Sequence, residues 1–113
     1  MKVLITGGAG YIGSHVALEA IDKGFDVTIF DNLSTGNESN INPDACFIYG
    51  STTSRSNLKK LFRSKKFDAV IHLAASKAAG ESMIDPLKYA ENNMVGSINL
   101  IKYCLLAKIN IFI

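Results

Sequence analysis

A glycine-rich segment near the N-terminus has the residue types and the spacing that bind phosphate groups. The stretch KVLITGGAGYIGSH, residues 2–15, begins as an apolar run, passes through several glycines and continues as an amphipathic helix pattern. Its glycines fit G-x-G-x-x-G, and Gly7, Gly10 and Gly13 also follow one another at intervals of three. In a strand, turn and helix of this kind, the glycines allow a tight turn and let a pyrophosphate approach the N–H groups at the helix start. The stretch therefore predicts a dinucleotide phosphate loop.

A carboxylate follows this loop at the distance that a dinucleotide fold requires. Asp31 ends the run DVTIF, a predicted strand, about 20 residues after the glycines, where it can accept hydrogen bonds from an adenosine ribose. The same charge repels a 2′-phosphate, and the first arginine of the chain is Arg55. We therefore predict NAD, rather than NADP, as the cofactor. The alternative is an ordinary glycine turn in an α/β domain with a surface aspartate.

The rest of the chain alternates between strand and helix patterns. Apolar runs predict further strands, over residues 26–30, 46–49, 69–73 and 109–113. Apolar residues at helical spacing predict three helices, near residues 12–21, 58–62 and 86–107. In the last helix, the apolar face predicted to cover the sheet consists of Leu87, Ala90, Met94, Ile98, Ile101 and Leu105.

This alternation predicts the fold class. It favours an α/β, Rossmann-like, doubly wound parallel sheet with about five strands, truncated before the sixth strand of the full dinucleotide fold. We therefore expect one NAD-binding Rossmann domain over residues 1–113, incomplete and without a substrate domain.

Composition and charge argue against several partners. The 113 residues are 48% hydrophobic, and the net charge of +2 is spread without a basic block, so no nucleic-acid partner is predicted. Apolar runs are shorter than the ~18 residues of a membrane span, and no signal peptide pattern is visible, which predicts no membrane association and a cytoplasmic location. Cys46 and Cys104 lack metal-ligand spacing, so we expect buried free thiols and no metal site.

Four segments spread along the chain form a more specific signature. They are TGGAGYIGSH at 6–15, DNLSTG at 31–36, HLAASKAAGES at 72–82 and DPLKYAENNMVGS at 85–97. Together they resemble the UDP-glucose 4-epimerases, which are extended short-chain dehydrogenases/reductases, over the N-terminal part of a longer enzyme. The resemblance implies a NAD-dependent isomerase of galactose metabolism that interconverts UDP-glucose and UDP-galactose through a 4-keto intermediate.

The resemblance also implies a set of cofactor contacts. They fall in the glycine segment, in the three loops that follow the second, third and fourth strands, and on the last helix. The implied cofactor-binding residues are Gly7, Gly10, Tyr11, Ile12, Gly13, Asp31, Asn32, Ser34, Thr35, Gly36, Ser51, Thr52, Leu73, Ala74, Ala75, Lys77 and Asn92. One position departs from the family: where relatives carry an acid for the adenine amino group, this chain has Ser51, whose hydroxyl accepts without a charge.

The catalytic pair of the resembled family is missing. Its base is the tyrosine of Tyr-x-x-x-Lys, in which the lysine charge lowers the pKa of the phenol. The four tyrosines of this chain are followed four positions later by His15, Thr53, Asn93 and Ala107. We therefore predict no catalytic residue in this chain, an inactive isolated chain, and a UDP-sugar partner only when the rest of the enzyme is supplied.

Two other functions fit the same residues. One is a stand-alone, non-catalytic nucleotide-binding or interaction module, and the other is part of a different NAD-dependent sugar-nucleotide dehydratase or epimerase. Whether the chain by itself is an enzyme stays open at this point. The long apolar helix over 86–107 and the apolar run 109–113 predict a homodimer or larger assembly.

Overall fold

A five-stranded parallel sheet forms the centre of the protein. The computed structural model describes residues 1–34, 36–74 and 86–113. The strands are β1 (Lys2–Thr6), β2 (Asp26–Asp31), β3 (Cys46–Tyr49), β4 (Ala69–His72) and β5 (Ile111–Phe112). The helices are α1 (Tyr11–Asp22), α2 (Arg55–Ser64) and α3 (Pro86–Leu106), and a short 3-10 helix covers Glu38–Asn40.

The sheet order confirms the predicted doubly wound fold. The strands lie in the order β3-β2-β1-β4-β5, and every neighbouring pair is parallel. Predicted and observed strands agree closely, except that β5 is shorter than the apolar run that predicted it. The 3-10 helix was not predicted, because its polar sequence reads as loop.

Helices cover both faces of the sheet. On one face, Val3, Ile5, Val27 and Ile29 pack with the small side chains Ala17 and Ala20 of α1. On the other face, the core is made by α2, α3 and three of the strands, through Leu4, Phe30, Leu58, Leu61, Val70, Leu100 and Cys104. Because successive side chains of a strand point to opposite faces, the apolar residues of β1 contribute to the cores on both faces of the sheet.

Helix α1 ends at a glycine turn, and its first turn lies outside the core. Gly24 has a φ of +85°, and its N–H donates to the Ile21 carbonyl oxygen at 2.9 Å, which fits a glycine just after the helix end. Ile12, the first apolar residue of the predicted helix 12–21, is exposed because it lies in the open first turn of α1.

Helix α3 covers the sheet with a different face from the predicted one. Leu100 and Cys104 are buried, and Gly96 lies so close to Thr52 that a Cβ would come within 2.5 Å of Thr52 Oγ1. Asn99 fixes the same face, because its Nδ2 donates to the Thr52 carbonyl oxygen at 3.2 Å. The apolar residues that the prediction turned inward are between 43% and 76% exposed, namely Leu87, Met94, Ile98, Ile101 and Leu105. The prediction was wrong because α3 carries apolar residues on two faces, and the helical spacing of these residues does not show which face packs on the sheet.

The two cysteines lie in different environments. Both are free. Burial raises the pKa of the Cys104 thiol to about 11, so this group stays protonated and unreactive near neutral pH. The prediction of burial was wrong for Cys46, which is exposed because β3 is the outermost strand on its side of the sheet.

The helices found in the described part of the chain are too short or too polar to cross a lipid bilayer.

The packing of α3 predicts a clear difference between two leucines of the same helix. Leu100→Ala removes a fully buried side chain between α3 and the sheet, so we expect the free energy of unfolding to fall by about 2–5 kcal/mol. Leu106→Ala is the matched control, because Leu106 is 70% exposed, and it should change that free energy by less than about 0.5 kcal/mol. Urea denaturation followed by circular dichroism measures both. Equal losses would contradict the assigned inner face.

Candidate functional site

The strand order creates a crevice at the carboxyl edge of the sheet. From β1 the chain moves outward on one side to β2 and β3, and it then crosses to the other side of β1 to form β4 and β5. Because all strands are parallel, the loops that follow Thr6, Asp31, Tyr49 and His72 lie at one edge. Ligands of such sheets bind where the direction of winding changes, which here is between β1 and β4.

The glycine segment forms a tight loop between β1 and α1. Gly7 has a φ of +78°, and its N–H donates to the Phe30 carbonyl oxygen at 2.9 Å. A Cβ on Gly13 would lie 2.1 Å from the Gly7 carbonyl oxygen, so the first turn of α1 packs directly on the loop. Only glycine permits this approach, and the positive φ of Gly7 fits the tight turn that the sequence predicted.

The N-terminus of α1 offers N–H groups that the helix itself does not use. The first helical bond of α1 runs from Ser14 N–H to the Gly10 carbonyl oxygen at 2.9 Å, so the N–H groups of Tyr11, Ile12 and Gly13 precede the helical ladder. The first turn of α1 carries no acidic residue. Among the described residues, a Cβ added to Gly10 would meet only the Gly7 carbonyl oxygen, at 3.4 Å. This surface therefore fits an anionic pyrophosphate close to the backbone of Gly10.

The Asp31 carboxylate is held by the backbone on both sides. Its Oδ2 accepts from Ala9 N–H at 2.9 Å, and its Oδ1 accepts from Leu33 N–H at 2.8 Å. The residue is only 8% exposed, and Leu33 has a φ of 60°, a conformation that bulky side chains rarely adopt. Each carboxylate oxygen keeps a further lone pair, so Asp31 can brace the glycine loop and still accept from ribose hydroxyls.

The loop after β2 folds back onto the glycine loop. The Ala9 carbonyl oxygen accepts from Asn37 N–H at 3.1 Å and from Asn40 Nδ2 at 3.3 Å. A Cβ on Gly36 would lie 2.8 Å from the same oxygen. Asn32 Oδ1 accepts from Ser34 N–H at 3.0 Å, which shapes the start of this loop. These contacts with Ala9 join the two loops, and the sequence reasoning missed them because Ala9 has no polar side chain.

The loop after β3 is tied to two helices. Ser51 N–H donates to Asn57 Oδ1 of α2 at 3.0 Å, and the Thr52 carbonyl oxygen accepts from Asn99 of α3. Ser51 Oγ also accepts from Thr53 N–H at 3.2 Å, so part of its acceptor capacity is already used within the loop. Both residues lie at the carboxyl edge of the sheet, with Thr52 buried and Ser51 half-buried.

The remaining predicted site residues are only partly described. Leu73 and Ala74 are half-buried directly after β4, beside the glycine loop, since a Cβ on Gly7 would lie 2.7 Å from their backbone. Several predicted residues lie outside the described residues, namely Thr35, Ala75, Lys77 and the side chain of Asn92.

The sequence reasoning missed two polar residues of the crevice. Thr6 Oγ1 lies 2.6 Å from His72 Nδ1, which joins the ends of β1 and β4 below the crevice. A signal was present, because each is a polar residue at the carboxyl end of an otherwise apolar strand. No group of His, Cys, Asp and Glu suited to a metal ion is found among the described residues. The described site therefore offers N–H donors for an anion and a carboxylate for hydroxyls.

The bonds of Asp31 predict that its loss loosens the glycine loop. In Asp31→Ala, Ala9 N–H and Leu33 N–H lose their acceptor, which costs about 1–3 kcal/mol for an unsatisfied group. We expect faster amide hydrogen exchange at Ala9 and Leu33, measured by NMR. Asp26→Ala is the matched control, because Asp26 is exposed at the opposite end of β2. Unchanged exchange at both amides in Asp31→Ala would count against the bracing role.

Comparisons with known proteins show the family of the chain. The model of the NAD dependent epimerase/dehydratase family matches residues 3–113. The chain is 42% identical to a bifunctional UDP-glucose 4-epimerase and UDP-xylose 4-epimerase of Pisum sativum over 96% of its length, which is 34% of that protein. It is also 42% identical to the UDP-glucose 4-epimerase of Erwinia amylovora over 100% of its length, or 36% of that protein. The chain thus spans about a third of the length of the curated relatives it matches.

Solved structures extend the comparison to the fold. The UDP-glucose 4-epimerase of Thermus thermophilus, solved as a complex with NAD, has a TM-score of 0.94 at 32% identity, covering 99% of this chain and 36% of that one. The UDP-glucose 4-epimerase of Thermotoga maritima, solved with UDP-glucose, has a TM-score of 0.94 at 35% identity with the same coverage of 99% and 36%. The chain therefore belongs to the NAD dependent epimerase/dehydratase family and matches the N-terminal NAD-binding region of UDP-glucose 4-epimerases.

Proposed function

We propose that residues 1–113 form the NAD-binding Rossmann domain of a UDP-sugar 4-epimerase. The observation that carries this proposal is the pairing of two features at one edge of the sheet. The N-terminus of α1 presents three N–H groups above Gly10, and the buried Asp31 carboxylate lies against the same loop. One feature suits a pyrophosphate and the other suits a ribose, and a dinucleotide carries both.

The proposed cofactor contacts follow the sequence predictions. The N–H groups of Tyr11, Ile12 and Gly13 hold the pyrophosphate, and Asp31 accepts from the ribose hydroxyls. Ser51 lies where the adenine amino group is expected, without the charge of an acid. Thr35, Ala75, Lys77 and Asn92 belong to the proposal on the strength of the family resemblance.

The chemistry of the proposed reaction needs residues that this chain lacks. NAD, when bound, would supply the hydride acceptor and donor for interconverting UDP-glucose and UDP-galactose through a 4-keto form of the sugar. The residues of this chain bind and orient the cofactor. A base must remove the proton from the sugar hydroxyl, and none of the four tyrosines of this chain is part of a Tyr-x-x-x-Lys pair. We therefore assign the UDP-sugar partner to the complete enzyme, with a role in galactose metabolism in the cytoplasm.

Cofactor preference tests the proposal directly. We expect the chain to bind NAD more tightly than NADP, because the Asp31 carboxylate repels a 2′-phosphate. Asp31→Ala removes hydrogen bonds to a charged acceptor, which are worth about 1.5–3 kcal/mol. We therefore expect the affinity for NAD to fall by roughly ten- to a hundredfold. Calorimetric titration with both cofactors measures the two affinities, with Asp26→Ala as the control. Equal affinities in the wild-type chain would contradict the proposal.

The absence of a catalytic base predicts an inactive chain. The purified 113-residue protein, supplied with excess NAD, should not interconvert UDP-glucose and UDP-galactose. A coupled assay with each sugar nucleotide measures the turnover, and a no-protein reaction provides the background. Turnover well above that background would show that another residue serves as the base.

The exposed face of α3 supports a further proposal, that the chain forms a homodimer or larger assembly. The apolar stripe of Met94, Ile98, Ile101 and Leu105 faces outward, and Ile111, Phe112 and Ile113 around β5 are also exposed. Monomeric proteins rarely leave an apolar surface of this extent in water. Among the described strands, β5 is also an edge strand of the sheet, and an exposed apolar edge strand pairs readily with another chain.

A charge placed in this stripe should therefore weaken the assembly. We expect Ile98→Lys to shift the protein toward the ~12 kDa monomer, because the lysine must be desolvated at an apolar interface. Leu18→Lys is the matched control, since Leu18 is an exposed leucine on α1, away from α3. Light scattering at micromolar concentration measures the mass. A wild-type monomer would contradict the proposed assembly.

A further inference from the structure

Three side chains form a hydrogen-bonded relay below the crevice between β1 and β4. Thr6 is fully buried at the end of β1, and its Oγ1 lies 2.6 Å from Nδ1 of His72 at the end of β4. On the other side of the imidazole ring, Nε2 lies 3.0 Å from Ser97 Oγ of α3. The relay therefore connects the central strand to α3 through one histidine.

The surroundings of Thr6 determine where the histidine proton lies. The N–H groups of Leu73 and Ala74 point to Thr6 Oγ1, at 3.2 Å and 3.3 Å. A hydroxyl oxygen has two acceptor sites and one proton, so with both sites taken the Thr6 proton goes to His72 Nδ1. Since Nδ1 accepts, the neutral imidazole carries its proton on Nε2 and donates it to Ser97 Oγ.

The same hydroxyl fixes the backbone that follows β4. Leu73 N–H also donates to the Thr6 carbonyl oxygen at 2.9 Å, as part of the strand pairing, whereas Thr6 Oγ1 is the acceptor that the described residues provide for Ala74 N–H. This backbone has almost no clearance from the glycine loop, because a Cβ on Gly7 would lie 2.7 Å from Ala74 N. A shift of Leu73 and Ala74 therefore changes the width of the crevice.

We propose that His72 is a positioning residue for the dinucleotide site, and that it acts as a neutral imidazole protonated on Nε2. It directs the Thr6 hydroxyl so that the oxygen accepts from Ala74 N–H, and it ties this backbone to Ser97 of α3. The crevice between β1 and β4 is thereby held at the width that admits the dinucleotide. This inference rests on the proposed function, because Leu73 and Ala74 are expected to line the cofactor.

The tautomer is measured without any cofactor. NMR of the 15N-labelled chain distinguishes the two imidazole nitrogens, since the nitrogen without a proton resonates far downfield. The chain has two histidines, and His15 is exposed on α1, so it serves as an internal control with averaged tautomers. We expect His72 to show a single form protonated on Nε2. A proton on Nδ1, or averaging like that of His15, would overturn the inference.

Two substitutions of Thr6 separate the hydroxyl from simple packing. Thr6→Val keeps the shape of the side chain without the hydroxyl, and Thr6→Ser keeps the hydroxyl. In Thr6→Val we expect His72 to lose its fixed tautomer, amide exchange at Ala74 to rise about tenfold, and NAD affinity to fall about five- to tenfold. Thr6→Ser should restore all three properties, which a role in packing alone does not predict.

Each outcome of these measurements decides the inference. An unchanged tautomer and unchanged Ala74 exchange in Thr6→Val would overturn the relay, and an altered relay with unaltered NAD affinity would overturn the positioning role. If Thr6→Val does not fold, Ser97→Ala tests the same argument from α3: His72 should keep its proton on Nε2, because the Thr6 hydroxyl still donates to Nδ1, and a proton on Nδ1 in this variant would overturn the inference. If the wild-type chain binds no NAD, the proposed function fails, while the tautomer and the exchange rates still decide the relay.

Discussion

The buried carboxylate of Asp31 determines how three loops meet at the carboxyl edge of the sheet. Its side chain accepts from Ala9 of the glycine loop and from Leu33 of its own loop, and its carbonyl oxygen accepts from Gly50 N–H at 3.1 Å. Burying a charge is costly unless hydrogen bonds replace water, and here two backbone N–H groups do so. The residue that suits a ribose is therefore also the residue that shapes the site.

The two walls of the crevice are stabilised in different ways. On the β2 side, the Asp31 carboxylate accepts hydrogen bonds from backbone N–H groups, and residues of the loop after β2 donate hydrogen bonds to the Ala9 carbonyl oxygen. On the β4 side, the hydrogen bond between Thr6 Oγ1 and His72 Nδ1 connects the ends of β1 and β4. Between the two walls, Gly7 and Gly13 let backbone segments approach each other more closely than any side chain permits. The floor of the site is thus built largely from backbone, whose position depends on a few polar side chains.

The sequence predicted the fold well because its main signals are local. The apolar runs and the glycine spacing define the strands, the first helix and the position of Asp31 without knowledge of distant contacts. The inner face of α3 was predicted wrongly, because the choice depends on Gly96 and Asn99 meeting Thr52, a residue far away in the sequence. The relay was missed for the same reason, since Thr6 and His72 are 66 residues apart. The spacing of residues in the sequence identifies groups that lie close together in one turn or helix. It does not identify contacts between residues that are far apart in the sequence and meet only in the folded sheet.

The central position of β1 has a consequence for the synthesis of the chain. It pairs with β2 and with β4, and its residues Leu4 and Ile5 are fully buried. At the usual elongation rate of 5–20 residues per second, the 66 residues between Thr6 and His72 take about 3–13 s to produce. During this time one edge of β1 has no partner strand, and an unpaired apolar strand is prone to aggregate. The topology that creates the crevice therefore leaves one apolar edge of β1 unpaired in the nascent chain until β4 has been synthesised.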